Sequence, residues 1–183
     1  SAITKPVTRY SPTTAAAPTG ATGRATSSVV TANTTAGTYS LTATSGSVST
    51  TFTLTNSPGA ATTFAITSAP VSGPASGTAT LGPITVQLLD PYGNPAAAPA
   101  GGTAVTLSSD SAGTPVFATT LAGASVTSLV IPSGESSAAF FYGDTKPGSP
   151  VITASGPRTS AIQKVTITAP GTTTKAAAVP RGP

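Results

Sequence analysis

The stretch Asp90-Pro91-Tyr92-Gly93-Asn94 gathers a carboxylate, a phenol ring and a carboxamide into five residues. Two chemistries suit it. As a ligand loop, Asp90, Tyr92 and Asn94 would offer one charge, one stacking surface and one amide. As a turn, Asp90 accepts hydrogen bonds from backbone amides, Pro91 presets φ, and Gly93 or Asn94 takes a left-handed conformation. A calcium ion wants about six oxygens, several of them from carboxylates, and this loop supplies one carboxylate. The turn is therefore the favoured reading, with a ligand contact as its competitor.

Elsewhere chemistry is scarce. There is no His and no Cys, and the only acids are Asp90, Asp110, Glu135 and Asp144, scattered along the chain without a paired motif. General acid-base or nucleophilic catalysis has nothing to work with, so the sequence predicts no enzyme, no metal site and no cofactor. Asp144, in YGDTKPG, reads as another turn or cap. A Lys164–Asn94 isopeptide bond would need both side chains buried beside an acid, whereas Lys164 alternates with Val165 and Ile167 and reads as solvent-facing. Asn33-Thr34-Thr35 is an N-glycosylation tripeptide on a loop, of a kind that arises by chance in a Thr-rich chain; O-linked sugar on SPTTAAAPT is an equal alternative. The aromatic run Phe140-Phe141-Tyr142 puts Phe140 and Tyr142 on one face of a strand, read as core, and Phe141 on the other.

The elements that position these residues are strands. With 37 Thr and 23 Ser among 183 residues and only 7% charged, helix formers are rare and β-branched residues plentiful. Solubility must come from hydroxyls. The net charge of +4 sits at the two ends, with no run of Lys and Arg interleaved with aromatics, so nucleic acid is not an expected partner. No apolar run approaches the roughly 20 residues that span a bilayer, so membrane insertion is not expected either. The chain starts at Ser1, which reads as a processed secreted form or an excised fragment.

Residues 1–27 mix Pro, Gly, Ala and Thr and read largely as linker. SVVTA follows as a strand, then GTYSLTAT and TTFTLTN as a hairpin with Tyr39, Leu41, Phe52 and Leu54 on one face. From residue 58 about eight short strands with Gly/Pro turns fill 112 residues to 169, the pattern of a β-sandwich. The hairpin has an echo: Asn33 aligns with Asp144, Gly37 with Gly148 and Leu41 with Ile152 at an offset of 111, and Phe52 with Val165 at 113. An offset of one domain length reads as tandem domains, and APGTTTKAAAV at 169–179 resembles SPGAATTFAI at 57–66. The organisation expected is an incomplete domain over 1–57, a complete one over 58–169, and a tail over 170–183 that is linker or donor strand.

ATTFAITSAP, ITVQLLDPYGNP, TAVTLSSDSAGTP, GESSAAFFYGDTKPGSPVITAS and IQKVTITAPG resemble the bacterial immunoglobulin-like repeats of surface and adhesin proteins, including the invasin/intimin type. VVTANTTAGTYSLTATSG is similar to the closing strands of the same repeats, and the resemblance covers about residues 21–171. It implies an all-β, immunoglobulin-like sandwich at the cell surface or outside the cell, acting mostly as a spacer. One departure is that residues 1–57 lack the module's early strands. The apolar face of Tyr39, Leu41, Phe52 and Leu54 then needs cover, since a lone hairpin is marginal in water. Residues 1–27, the second domain, or the tail of another copy could supply it, and the last would assemble copies head to tail. The function expected is a structural module, stalk or filament subunit, self-associating or packed on neighbouring repeats. The alternative is an adhesive or carbohydrate-binding module, with a glycan or host-surface ligand.

Overall fold

A computed structural model describes residues 2–4, 15–16, 20–24, 26 and 31–170. All regular structure among them is β, and no helix long and apolar enough to cross a membrane occurs there. The chain divides into two compact units. The first comprises the residues up to Gly59 together with Asp90–Asn94; the second comprises Ala60–Leu89 and Pro95 onward.

The first unit is one antiparallel sheet. Strands β3 (Gly37–Ser45) and β4 (Val48–Asn56) form the expected hairpin, and β1 (Ala2–Thr4) pairs with β3 while β2 (Ala15–Ala16) pairs with β1, giving the order β2-β1-β3-β4. The segment read as linker thus donates two short strands. SVVTA is corrected in part: Ser28–Val30 lie outside the described residues, and Thr31 and Ala32 belong to no strand. The added strands extend the sheet sideways and leave its faces as they were. In register, Tyr39 lies opposite Leu54 and Leu41 opposite Phe52, so the four predicted residues share a face. That face is only partly covered: Tyr39, Leu41 and Leu54 are half-buried, Phe52 is 52% exposed and Val48 71%. Among the described residues of this unit no hydrophobic side chain is buried. The opposite face is made of hydroxyls, with Thr38 facing Thr55, Ser40 facing Thr53, Thr42 facing Thr51 and Thr44 facing Ser49.

The second unit has a true core. Strands β5 (Thr63–Ile66), β7 (Leu81–Leu89), β9 (Pro115–Ala118) and β11 (Ser137–Asp144) form a sheet in the order β5-β7-β11-β9. Strands β8 (Thr103–Ser109), β10 (Ser128–Ile131), β12 (Val151–Ser155) and β13 (Ala161–Lys164) form another, in the order β10-β8-β12-β13. Period-two alternation drives their association: in β7, Ile84, Val86 and Leu88 are fully buried, and in β8 Val105 and Leu107 are buried while Ala104, Thr106 and Ser108 face out. Each buried Ile, Leu or Val side chain contributes about 1.5–3 kcal/mol. Phe117 fills the middle, its ring 6.0 Å from Phe140 and 5.2 Å from Tyr142.

Ten strands stand where eight were expected. IQKVTIT breaks after Lys164 because its hydrogen-bonding partner changes: β13 pairs antiparallel with β12, whereas β14 (Thr166–Thr168) pairs parallel with β6 (Ser72–Pro74). The side-chain alternation carries through the break, so Ala161, Gln163, Val165 and Ile167 are all buried. Strand β6, the sequence Ser-Gly-Pro, carries no apolar alternation by which to be found.

Candidate functional site

Asp90 is buried, and both of its carboxylate oxygens are occupied by protein. Oδ1 accepts the Tyr92 N–H at 2.8 Å and the Asn94 N–H at 2.9 Å; Oδ2 accepts the Gly59 N–H at 3.0 Å and the Asn94 side-chain amide at 2.9 Å. Four donors on one carboxylate stabilise its charged form. The Asn94 side-chain amide is the largest influence, and with the backbone N–H groups it outweighs burial and lowers the Asp90 pKa from 3.8 to about 2. Gly93, with φ of 83°, sits in the left-handed region that the turn requires.

Asn94 works outward as well as inward. Its side-chain carbonyl accepts the Ala36 N–H at 2.9 Å and its amide donates to the Thr34 carbonyl at 2.8 Å. A second asparagine, Asn56 at the end of β4, donates to the carbonyls of Asn33 (2.7 Å) and Thr35 (2.6 Å) and to Asn33 Oδ1 (3.1 Å). Residues 33–36 are therefore held between two carboxamides within the first unit. The Asn33 side chain is engaged in this network, its Oδ1 also accepting the Thr35 N–H at 3.0 Å. Of the three candidate ligand residues Asp90, Tyr92 and Asn94, Asp90 is buried, Asn94 half-buried and Tyr92 exposed, at 67%. Asn56 went unnoticed in the sequence, although its position closing a β-strand opposite Gly37 is where a capping amide is useful.

The repeat has a local structural counterpart. Asp144 Oδ1 accepts the Lys146 N–H at 2.9 Å, as Asn33 Oδ1 accepts that of Thr35, and the aligned glycines Gly37 and Gly148 have φ of 147° and 159°. Asp144 is also fully buried, which turn chemistry on a loop does not require. Tyr142 donates its hydroxyl to Asp144 Oδ2 at 2.8 Å, and since a phenol has one proton, the Ser109 hydroxyl 2.9 Å away must donate to Tyr142. Burial raises the Tyr142 pKa, and the neighbouring Asp144 charge adds to the rise. Burial also works against the Asp144 anion, but the Ser111 hydroxyl, the Lys146 N–H and the Tyr142 hydroxyl overcome it and hold the pKa below its ordinary value. The sequence carried a signal for this: Asp144 has the same strand parity as Phe140 and Tyr142.

Asp110 accepts the Val151 N–H at 2.7 Å, so three of the four acids hold loops in place. The Asp110 N–H in turn donates to the Val151 carbonyl at 3.2 Å, tying the end of β8 to the start of β12. An open groove of about 250 Å³ lies there, lined by Asp110–Ala112 and Lys146–Pro150. Among the described residues no three acidic, His or Cys side chains gather. Lys164 is exposed on β13, and the Asn94 amide is bonded to Thr34 and Asp90. Phe140 and Tyr142 are core and Phe141 is half-buried.

No protein-family model and no curated protein matches the chain. Solved structures do. The S-layer protein rSbsC(31-844) is 23% identical over 75% of this chain and 17% of its own, with a TM-score of 0.43. S-layer SbsC domains 4 and 5 are 23% identical over 80% of this chain and 62% of theirs, with a TM-score of 0.42. A glycosyl hydrolase family 2 member from Bacteroides cellulosilyticus is 17% identical over 73% of this chain and 18% of its own, with a TM-score of 0.49. The chain thus spans less than two thirds of each. The functional reading rests on the residues of this chain.

Proposed function

We propose that the protein is a non-enzymatic structural module of a cell-surface or extracellular protein, a stalk or filament subunit built from immunoglobulin-like repeats. The observation that carries this reading is the use made of the polar residues. Asp90, Asp110 and Asp144 each hold a loop or strand end by accepting backbone N–H groups, and no acid pair, His or Cys is left for chemistry. The shared turn at Asn33 and Asp144 supports tandem construction, and an open sheet with a half-covered apolar face supports completion by strands from a neighbouring copy. Of the tail that the sequence nominated as donor, residues 170–183, all but Pro170 lie outside the described residues.

Immunogold labelling of cells that produce the protein tests this reading: label on the outer surface or on extracellular fibres is expected. Label confined to the cytoplasm, or hydrolysis of a glycan or peptide by the purified chain, overturns it. A second reading, a carbohydrate-binding module, is favoured by one observation, the exposed ring of Tyr92 on a loop fixed by Asp90. Glycan-array binding lost on Tyr92→Ala would establish it.

A further inference from the structure

Strand β4 lies at the edge of its sheet, and its outward side meets no other described strand. Exposed edges invite pairing with another chain, and proteins blunt them by shortness, Pro, or charge. The second unit does this at both edges of each four-stranded sheet: β5, β9, β10 and β13 are four residues long, β9 starts at Pro115, β10 is followed by Pro132, and β13 ends in Lys164; β6 and β14, paired with each other, have three residues each. Strand β2, the other edge of the first sheet, is two residues long. Strand β4, Val-Ser-Thr-Thr-Phe-Thr-Leu-Thr-Asn, is nine residues with no Pro, Gly or charge, and its first six residues are exposed. The protection applied elsewhere is missing here alone among the described sheet edges.

We propose that β4 is a self-association edge, pairing antiparallel with β4 of a second copy about a two-fold axis through Phe52. The occupant follows from the strand itself. Phe52 is the central residue of Val48–Asn56, so full overlap of two strands sets Phe52 of one copy opposite Phe52 of the other. On that face the two half-exposed rings meet, and on the other face Thr51 lies opposite Thr53 and Ser49 opposite Thr55. Aromatic pairs and Thr–Thr or Thr–Ser pairs are among the favourable cross-strand combinations, and no like charges oppose one another. A two-fold keeps the apolar faces of both copies on one side and consumes both β4 edges. The remaining edges are the two-residue β2 strands, so assembly closes at a dimer with an eight-stranded sheet. An edge of nine residues buries less than a standard interface of about 1,600 Å², so the dimer is a weak one, populated in a concentration-dependent way.

The inference rests on the structural-module reading and is tested on the full chain by sedimentation velocity over a concentration series. Wild-type protein moves from monomer toward dimer. Thr51→Lys/Thr53→Lys, which sets like charges opposite each other in this register, shifts the midpoint upward by at least about tenfold, and mixing with Thr51→Glu/Thr53→Glu restores association. Far-UV circular dichroism matching wild type shows that the hairpin has survived. The chain has no Cys, so Phe52→Cys reports the register directly: residues directly opposite lie about 4.5–5.5 Å apart at Cα, inside the range a disulfide bridges. Oxidation is expected to give a covalent dimer with Phe52→Cys and none with Val48→Cys at the same concentration. A monomer at every concentration, equal cross-linking at both positions, or loss of the dimer on deleting residues 171–183 would overturn the inference, the last outcome naming the tail as occupant. Each of these leaves surface location, and hence the module reading, standing.

Discussion

Asp90 and Asp144 have the same residue type and the same kind of sequence surroundings, yet their environments differ in what they cost. Asp90 accepts four hydrogen bonds in a loop, and its folded pKa of about 2 lies below the ordinary 3.8. A carboxylate with a lowered folded pKa contributes stability in full above its unfolded pKa and loses it as the pH falls through the folded one. Wild type should therefore lose the Asp90 contribution between about pH 4 and pH 2, with the amide protons of Gly59, Tyr92 and Asn94 shifting together by NMR. Asp90→Asn removes that acid transition; an unchanged titration would show that the four contacts do not persist in solution. Asp144 sits deeper, against Tyr142. Tyr142→Phe strips Asp144 of one donor and leaves Ser109 without its acceptor, so unfolding should become about 1–3 kcal/mol easier, read by urea melts. Because burial raises the Tyr142 pKa, absorbance at alkaline pH should show a late phenol ionisation, above the ordinary tyrosine range, that Tyr142→Phe removes.

At the level of elements, alternation explains most of the second unit. The buried set Ile84, Val86 and Leu88 in β7 meets Val105 and Leu107 in β8 because a strand shows alternate residues to one face. Phe140→Ala, at 1% exposure, should cost about 3–5 kcal/mol through a cavity beside Phe117, measured as a lowered midpoint in chemical denaturation. Close approaches are specific to small residues: a β-carbon on Gly113 would overlap the Asp144 carboxylate. Gly113→Ala should accordingly lower the melting temperature although its φ is unexceptional, whereas Gly77→Ala, with open space around it, should not. The turns and the long strands were legible in the residues. Strand β6 and the break between β13 and β14 were not, because both are decided by which strand lies alongside and not by any side-chain period.

At the scale of the whole molecule, the two units differ in how their apolar residues are covered. Every buried hydrophobic residue among those described belongs to the second unit. Amide exchange follows burial and contact density, so the amides of β7, β8, β11 and β12 should exchange far more slowly than those of β3 and β4, and mass spectrometry of exchanged peptides measures this directly. Slow exchange throughout β3 and β4 in dilute monomer would show that their apolar face is covered by something other than a second copy. Composition settled the all-β class, since Thr and Val in quantity with few helix formers leave little else. Periodicity set Tyr39, Leu41, Phe52 and Leu54 on one face, and the inventory of four acids with no His or Cys was plain before any fold was known. Those features are local, and a sequence displays local features openly. Tertiary structure decided which carboxylates are buried, that residues 2–4 pair with β3, and that Asn56 and Asn94 grip the same four residues. Each of these joins segments far apart in the chain, and no spacing along one segment records what the fold brings beside it.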